Sequence, residues 1–269
     1  MSTAKEIKYL FIDGACLDDI LTRIGNEFFN GDKVDLRFEF LGHAYDKIFY
    51  YDALPKKKKN ESEAEYSERY AQKENFLNSL KLKDKFHVYE GVVFERREQL
   101  NQKAVDIMIA VDMLRHSFRR NMNKATLITG DLDFKPLLDA LVLEGMYTTL
   151  WYAPRITSKE LRYATDSNQI LNLNTVYSYS TDSVKKQHPA PNISQREFAN
   201  LYKNYTKHIS KGLLNNIEVN LSLNEKTNDY LLTYYEYSIG GKFATFSDPD
   251  FLKRWFEYEY NGKIFWEKK

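Results

Sequence analysis

The feature that most constrains this chain is the alternation of short apolar runs with helix-length amphipathic stretches through its first 175 residues. Such alternation builds a mostly parallel sheet covered on both faces by helices and joined by right-handed crossovers. Tyr9-Leu10-Phe11-Ile12 ends in Asp13-Gly14, and the apolar spacing over 17–29 is helical, which reads as strand, tight turn and helix. Further strands are expected over 35–41, 47–51, 86–89, 125–129, 147–151 and 170–173. Helices are expected over 63–80, 105–120, 134–143 and 158–164.

A polar stretch over 178–192, with Pro189 and Pro191, breaks the pattern and reads as a linker. The expected division is a three-layer α/β/α domain over 1–185 and a small α+β module over 186–269. In the module, Ser194-Gln195-Arg196-Glu197 has capping-box spacing and predicts a helix to about His208. Strands over 217–223 and 230–239, a helix over 251–256 and turns at Gly240-Gly241 and Asn261-Gly262 complete it.

Hydrophobic residues make up 43% and charged residues 29% of the chain, the balance of a globular protein that needs no staples. No run approaches the roughly 18 apolar residues of a membrane span, and the N-terminus lacks the apolar core of a signal peptide. With Cys16 as the one cysteine, an internal disulfide is excluded, and a cytoplasmic location is expected. The net charge of +1 means that any nucleic-acid binding rests on local basic patches.

The chemically informative residues are acids at the ends of elements. Asp13 closes the first strand, and Asp131 and Asp133 follow the strand over 125–129 in Thr129-Gly130-Asp131-Leu132-Asp133. Asp106 lies near the N-terminal end of the strongly apolar helix expected over 105–120. In open α/β sheets sites form outside the carboxyl ends of the strands, so these acids can converge there. Clustered carboxylates repel one another unless a divalent cation neutralises them, and hard oxygen ligands select Mg²⁺ or Mn²⁺. Phosphodiester hydrolysis is the chemistry such ions serve. Each acid also has a structural reading: Asp133 as a helix N-cap, Asp106 as a first-turn acid beside the helix dipole, Asp13 and Asp131 as turn formers next to glycine.

Basic residues near these acids are Lys56 to Lys59, the Arg96-Arg97 pair, Lys103, Arg115, Arg119 and Arg120, which would neutralise a phosphate backbone or stand solvated. The C-terminal region is dense in aromatics, among them Tyr234, Phe243, Trp255 and Phe256. Aromatics there stack bases, fill a small core, or meet a protein partner or a second copy of the chain.

At these acids the sequence resembles the NYN domain family, in its LabA-like branch of the PIN-like nucleases. The matching pieces, in order, are Phe11-Ile12-Asp13-Gly14, Tyr50-Tyr51-Asp52-Ala53-Leu54, Lys103-Ala104-Val105-Asp106, Ala110-Val111-Asp112-Met113-Leu114, the stretch from Leu127 through Gly130-Asp131-Leu132-Asp133 to Leu137, Glu144-Gly145, and Ser158-Lys159-Glu160-Leu161 with Ala164-Thr165-Asp166. They cover about residues 7 to 175. The resemblance implies a PIN-like α/β/α sandwich and cleavage of RNA, single-stranded RNA first. It also implies a catalytic metal bound by Asp13, Asp106, Asp131 and Asp133. Lys103, Arg96 and Arg97 are then candidate substrate contacts. Asp112 lies about 240° around the helix from Asp106, so it supports the site without reaching the same ion. The family usually carries asparagine three residues after the first aspartate, where this chain has Cys16, a weaker hydrogen-bonding group. A non-catalytic RNA-binding or regulatory protein of the same fold is the alternative. A phosphatase or sugar transferase built on Asp131 and Asp133 is disfavoured, because Ala15 stands where aspartyl-phosphate enzymes keep a second acid.

Overall fold

The computed structural model describes residues 6–91, 98–194, 203–236 and 240–267. They divide into two compact units, Met1–Leu171 and Asn172–Lys269.

The first unit runs β1 (Lys8–Asp13), α1 (Gly14–Phe28), α2 (Glu39–Ala44), β2 (Lys47–Ala53), α3 (Glu63–Lys81), β3 (Phe86–Gly91), α4 (Glu98–Phe118) and β4 (Lys124–Ile128). A 3₁₀ turn (Leu132–Phe134), α5 (Lys135–Leu143), β5 (Tyr147–Tyr152), α6 (Lys159–Tyr163) and β6 (Ser167–Ile170) follow. The six strands form one sheet in the order β3-β2-β1-β4-β5-β6, and every pairing is parallel. Strands buried on both faces must be apolar throughout rather than alternating, which is why β1 reads Tyr-Leu-Phe-Ile without a break. Tyr9, Phe11, Phe49, Tyr51, Leu127 and Leu150 face Val105, Ile109 and Met113 of α4 and Leu137, Leu138 and Leu141 of α5. Burial of each such side chain contributes about 2 kcal/mol. On the other face Tyr50 packs against Phe38 and Phe76. The chain winds outward in both directions from β1 and β4, so the crevice between their carboxyl ends is the switch point of the sheet.

Three expectations need correction here. The stretch 35–41 is no strand: Leu36 makes one isolated bridge and the helix α2 begins at Glu39. Its alternating Leu36, Phe38 and Phe40 imitates a strand, but Phe38 alone is buried, among the rings of Tyr50, Phe76 and Phe86, while Phe40 lies under the Arg37 guanidinium. The last strand of the sheet is Ser167–Ile170, shifted back from 170–173 because Asn172 is instead the N-cap of a helix. The polar stretch that reads as a linker carries helix at 178–179 and 182–187: α7 (Leu173–Tyr179) and α8 (Asp182–Gln187) are capped by the side chains of Asn172 and Thr181 and bury Leu173, Val176 and Val184. The compact units therefore separate after Leu171, upstream of the boundary expected near 185.

The second unit continues with β7 (Asn192–Ser194), β8 (Lys207–Leu214), β9 (Ile217–Asn224), β10 (Asp229–Glu236), β11 (Gly240–Phe246), α9 (Pro249–Glu259) and β12 (Ile264–Trp266). These strands form an antiparallel sheet in the order β12-β8-β9-β10-β11-β7. Asn215 and Asn216, both at positive φ, make the two-residue turn between β8 and β9, a conformation asparagine tolerates. The helix expected after Ser194 falls largely on residues outside those described, and His208, its expected end, lies in β8. Tyr234, Phe243, Trp255 and Phe256 are buried in this unit's own interior, so these aromatics serve its packing. Among the described residues no helix is long and apolar enough to cross a membrane.

Glu259 closes α9 as a buried carboxylate that accepts hydrogen bonds from the Asn172 side chain and the Asn174 N–H. Burial pushes its pKa up to about 7 against those hydrogen bonds. A carboxyl group with a raised folded pKa binds its proton more tightly in the folded state, so stability falls as pH rises from 4.5 through about 7. Glu259→Gln is expected to stabilise the second unit by about 2 kcal/mol at pH 8 and to leave it nearly unchanged at pH 4.5. Thermal unfolding of the two proteins at both pH values checks this, and an equal effect at each would contradict it.

Candidate active site

Asp13 ends β1 and caps α1, because a strand that turns directly into a helix leaves orphan N–H groups that an aspartate side chain can accept. Its Oδ1 accepts from the Cys16 N–H at 3.1 Å, and its Oδ2 accepts from the Thr129 hydroxyl at 2.9 Å. The same hydroxyl oxygen accepts from the Asp131 N–H at 3.2 Å. Thr129, fully buried just beyond β4, thus ties the ends of the two central strands together. Asp131 caps the 3₁₀ turn by accepting from the Asp133 N–H at 2.9 Å. The capping role open to Asp133 from sequence therefore belongs to Asp131, and Asp133 is exposed on the first turn.

Asp13 and Asp106 line one cavity of about 290 Å³ together with Asp52, at the end of β2. Lys56, Lys58 and Arg69 line the same cavity, so acids and cations meet where strands β1 and β2 end. Asp131 is tied to Asp13 through Thr129 and repels its carboxylate, while Asp133 donates its backbone N–H to Asp131. Among the described residues no three acidic, histidine or cysteine side chains close around a single point. Arg96, Arg97 and the side chain of Lys103 lie outside the described residues.

Burial raises the pKa of Asp13 despite the two hydrogen bonds it accepts, and the carboxylates of Asp52 and Asp131 add to the rise. Burial likewise raises Asp52, offset in part by Lys73, whose ammonium nitrogen lies 2.5 Å from Oδ2 of Asp52 and 2.9 Å from Oδ2 of Asp18. Cys16 packs beside the 129–130 turn, where burial and the Asp13 charge push its thiol up to about 12. At neutral pH it is a neutral thiol with no role as base or nucleophile. Asp112 accepts from the Tyr51 hydroxyl at 2.9 Å, which ties α4 to β2 away from the cavity.

Asp52, Arg69 and Lys73 are the residues that sequence reasoning undervalued. Asp52 ends a strand paired in parallel with β1, the same position Asp13 holds, so the two strand ends repeat one signal. Arg69 and Lys73 stand one helical turn apart on α3, in line with Leu77 and Leu80, so two cations occupy a stripe that otherwise faces the core. That placement requires partners: buried Asp52 and half-exposed Asp18 for Lys73, and Glu61 for Arg69.

Gly14 is dictated by the crowding around Asp52. A Cβ there would stand 2.6 Å from Asp52 Oδ2, 2.7 Å from the Tyr51 carbonyl oxygen and 2.8 Å from the Tyr50 ring. Gly14→Ala is expected to cost about 3 kcal/mol of stability, since backbone cannot move aside cheaply. Urea unfolding checks this, and a cost below about 0.5 kcal/mol would show that the strand end yields.

A family model, the NYN domain, matches residues 11–172. The chain belongs to the NYN domain family. Its first unit is thus the fold of the PIN-like nuclease superfamily, in agreement with the parallel sheet and its flanking helices. Among solved structures, a protein of unknown function, VPA0982, from Vibrio parahaemolyticus RIMD 2210633 aligns at 17% identity and TM-score 0.46, over 67% of this chain and 99% of its own. A chitinase from Chromobacterium violaceum ATCC 12472 aligns at 9% identity and TM-score 0.24, over 92% of this chain and 88% of its own. Neither similarity bears on function. No curated protein matches the chain.

Proposed function

We propose that the NYN unit is a cytoplasmic ribonuclease that hydrolyses phosphodiester bonds, preferring single-stranded RNA. In this reading Asp13, Asp106, Asp131 and Asp133 are the metal-binding and catalytic acids, with Asp52 beside them. The observation that carries it is the cavity at the carboxyl ends of the strands, in which Asp13, Asp52 and Asp106 face Lys56, Lys58 and Arg69. Every donor in the set is a carboxylate oxygen, the type Mg²⁺ and Mn²⁺ take, and buried acids that repel one another have a standing use for a cation. Mg²⁺ retains several waters and takes one or two carboxylates along with substrate phosphates, so a complete carboxylate cage is not required. When bound, such an ion lowers the pKa of water and offsets charge on the phosphate being attacked.

The chain's own residues do the rest. The N–H of Cys16 and the hydroxyl of Thr129 fix both oxygens of Asp13, so its orientation is set before substrate arrives. Lys56, Lys58 and Arg69 attract the phosphate backbone, a salt-sensitive contribution independent of sequence, and Lys103, Arg96 and Arg97 are proposed to extend it. The neutral thiol of Cys16 adds neither charge nor proton transfer where the family usually has asparagine. That departure favours a second reading, an NYN-fold protein that binds RNA without cutting it, alone or with a protein partner or second copy held by the C-terminal unit.

Labelled single-stranded RNA, duplex RNA and single-stranded DNA incubated with Mn²⁺ and either the wild type or Asp131→Asn separate the readings. Cleavage of single-stranded RNA by the wild type and not by the variant is the expected result. RNA retained intact by both would leave the binding protein.

A further inference from the structure

We propose that a second cavity, next to the acidic one, is a nucleoside subsite that receives the sugar and base flanking the phosphate to be cut. This inference rests on the nuclease reading above. The second cavity is the larger, about 530 Å³, and shares Ala15, Asp52, Ala53 and Arg69 with the first. A strand whose phosphate enters the acidic cavity must continue somewhere, and the space across the shared wall is within one nucleotide's reach at roughly 3.4 Å of rise or more per nucleotide.

The lining chemistry selects the uncharged part of a nucleotide. Asp18, Asp32 and Asp52 are matched in number by Lys33, Arg69 and Lys73, so the cavity carries no net charge to capture a second phosphate. Lys73 is engaged by Asp18 and Asp52, and Arg69 by Glu61. What the cavity offers is the hydroxyl of Thr22, the amides of Asn26 and Gln72, and the half-buried ring of Phe76. Amides and hydroxyls both donate and accept, which suits the edge of an unpaired base and the ribose 2′-hydroxyl. The Phe76 ring already lies under the ammonium groups of Lys33 and Lys73, at 5.2 and 5.7 Å. A base held this way must be out of a duplex stack, so the subsite requires single-stranded substrate.

Thr22 and Asn26 stand one turn apart on the exposed side of α1, so either is replaceable without touching the core. The test compares Asn26→Trp, which fills the cavity, with the full-length wild type on two substrates in Mn²⁺. One is a short single-stranded oligoribonucleotide; the other is bis(p-nitrophenyl) phosphate, which has no nucleoside to place. The ratio of kcat/KM on the oligonucleotide to that on the small diester should fall about tenfold, mostly through KM, the size of one lost base contact. Thr22→Trp should do the same, which guards against a folding defect in one variant, and duplex RNA should not compete with the oligonucleotide. An unchanged ratio in both variants would overturn the subsite. Should the wild type cut neither substrate, the nuclease reading fails, and the affinity for a fluorescent oligoribonucleotide decides the subsite alone. About tenfold weaker binding by both variants then supports it, and equal binding overturns it.

Discussion

Asp13→Asn is expected to lower metal-dependent RNA cleavage by about a thousandfold, while the melting temperature in metal-free buffer at neutral pH stays unchanged or rises. The loss follows from position: Asp13 faces the acidic cavity and is pre-oriented by Cys16 and Thr129. The stability result follows from charge. Burial, reinforced by Asp52 and Asp131, raises the pKa of Asp13 above its ordinary 3.8. A carboxyl group raised in this way opposes folding at every pH above that value, so removing its charge removes a penalty. The amide keeps an oxygen to cap α1, and the Thr129 hydroxyl accepts as readily as it donates. Cleavage assays and thermal unfolding on one preparation check both halves. A variant that unfolds several degrees earlier would show that Asp13 is first a structural cap.

Lys73→Met is expected to destabilise the protein by about 3 kcal/mol. The ammonium group is mostly buried, with 17% of its side chain exposed, between Asp52 and Asp18. Its two ends respond differently to the pairing. Lys73 is held charged, because the two carboxylates outweigh its desolvation, whereas Asp52 loses more by burial than Lys73 restores. The pair thus adds little net stability once both charges are buried. Removing the lysine alone leaves the buried Asp52 beside Asp13 without its direct ion-pair partner. Pairing Lys73→Met with Asp52→Asn should therefore recover part of the loss, and urea unfolding of both single variants and the double measures the coupling. Additive losses would show that Lys73 contributes by packing alone.

Much of the NYN unit is legible in the sequence because a parallel sheet needs uninterrupted apolar strands, and those of β1, β2, β4 and β5 stand out. The acids legible beside them are the ones whose strand end abuts a glycine, Asp13 and Asp131. Asp52 carried less signal, since its significance depends on β2 lying in parallel against β1 and on a lysine from a helix 21 positions later. The residues 35–41 show the opposite difficulty. Their alternation is genuine, but one ring, Phe38, finds a socket between Tyr50, Phe76 and Phe86, and a single anchor does not require a strand. Residues 178–192 read as a linker because the helices that reach into them are short and polar. Asn172 and Thr181 cap them, and three buried apolar side chains are enough to hold them. For Asp106 the expected first-turn position is wrong, because α4 begins at Glu98 and carries it in mid-helix, and the cavity it shares with Asp13 and Asp52 depends on how α4 crosses the sheet.

Binding of Mn²⁺ itself reads the acids without requiring that the right RNA be known. Free Mn²⁺ gives a resolved paramagnetic resonance spectrum that collapses on binding, so titration of the full-length protein counts bound ions. At least one ion per chain is expected for the wild type, and weaker binding in Asp13→Asn and Asp106→Asn, each of which removes an oxygen ligand. Equal Mn²⁺ binding by the wild type and both variants, or none by any of them, would contradict it.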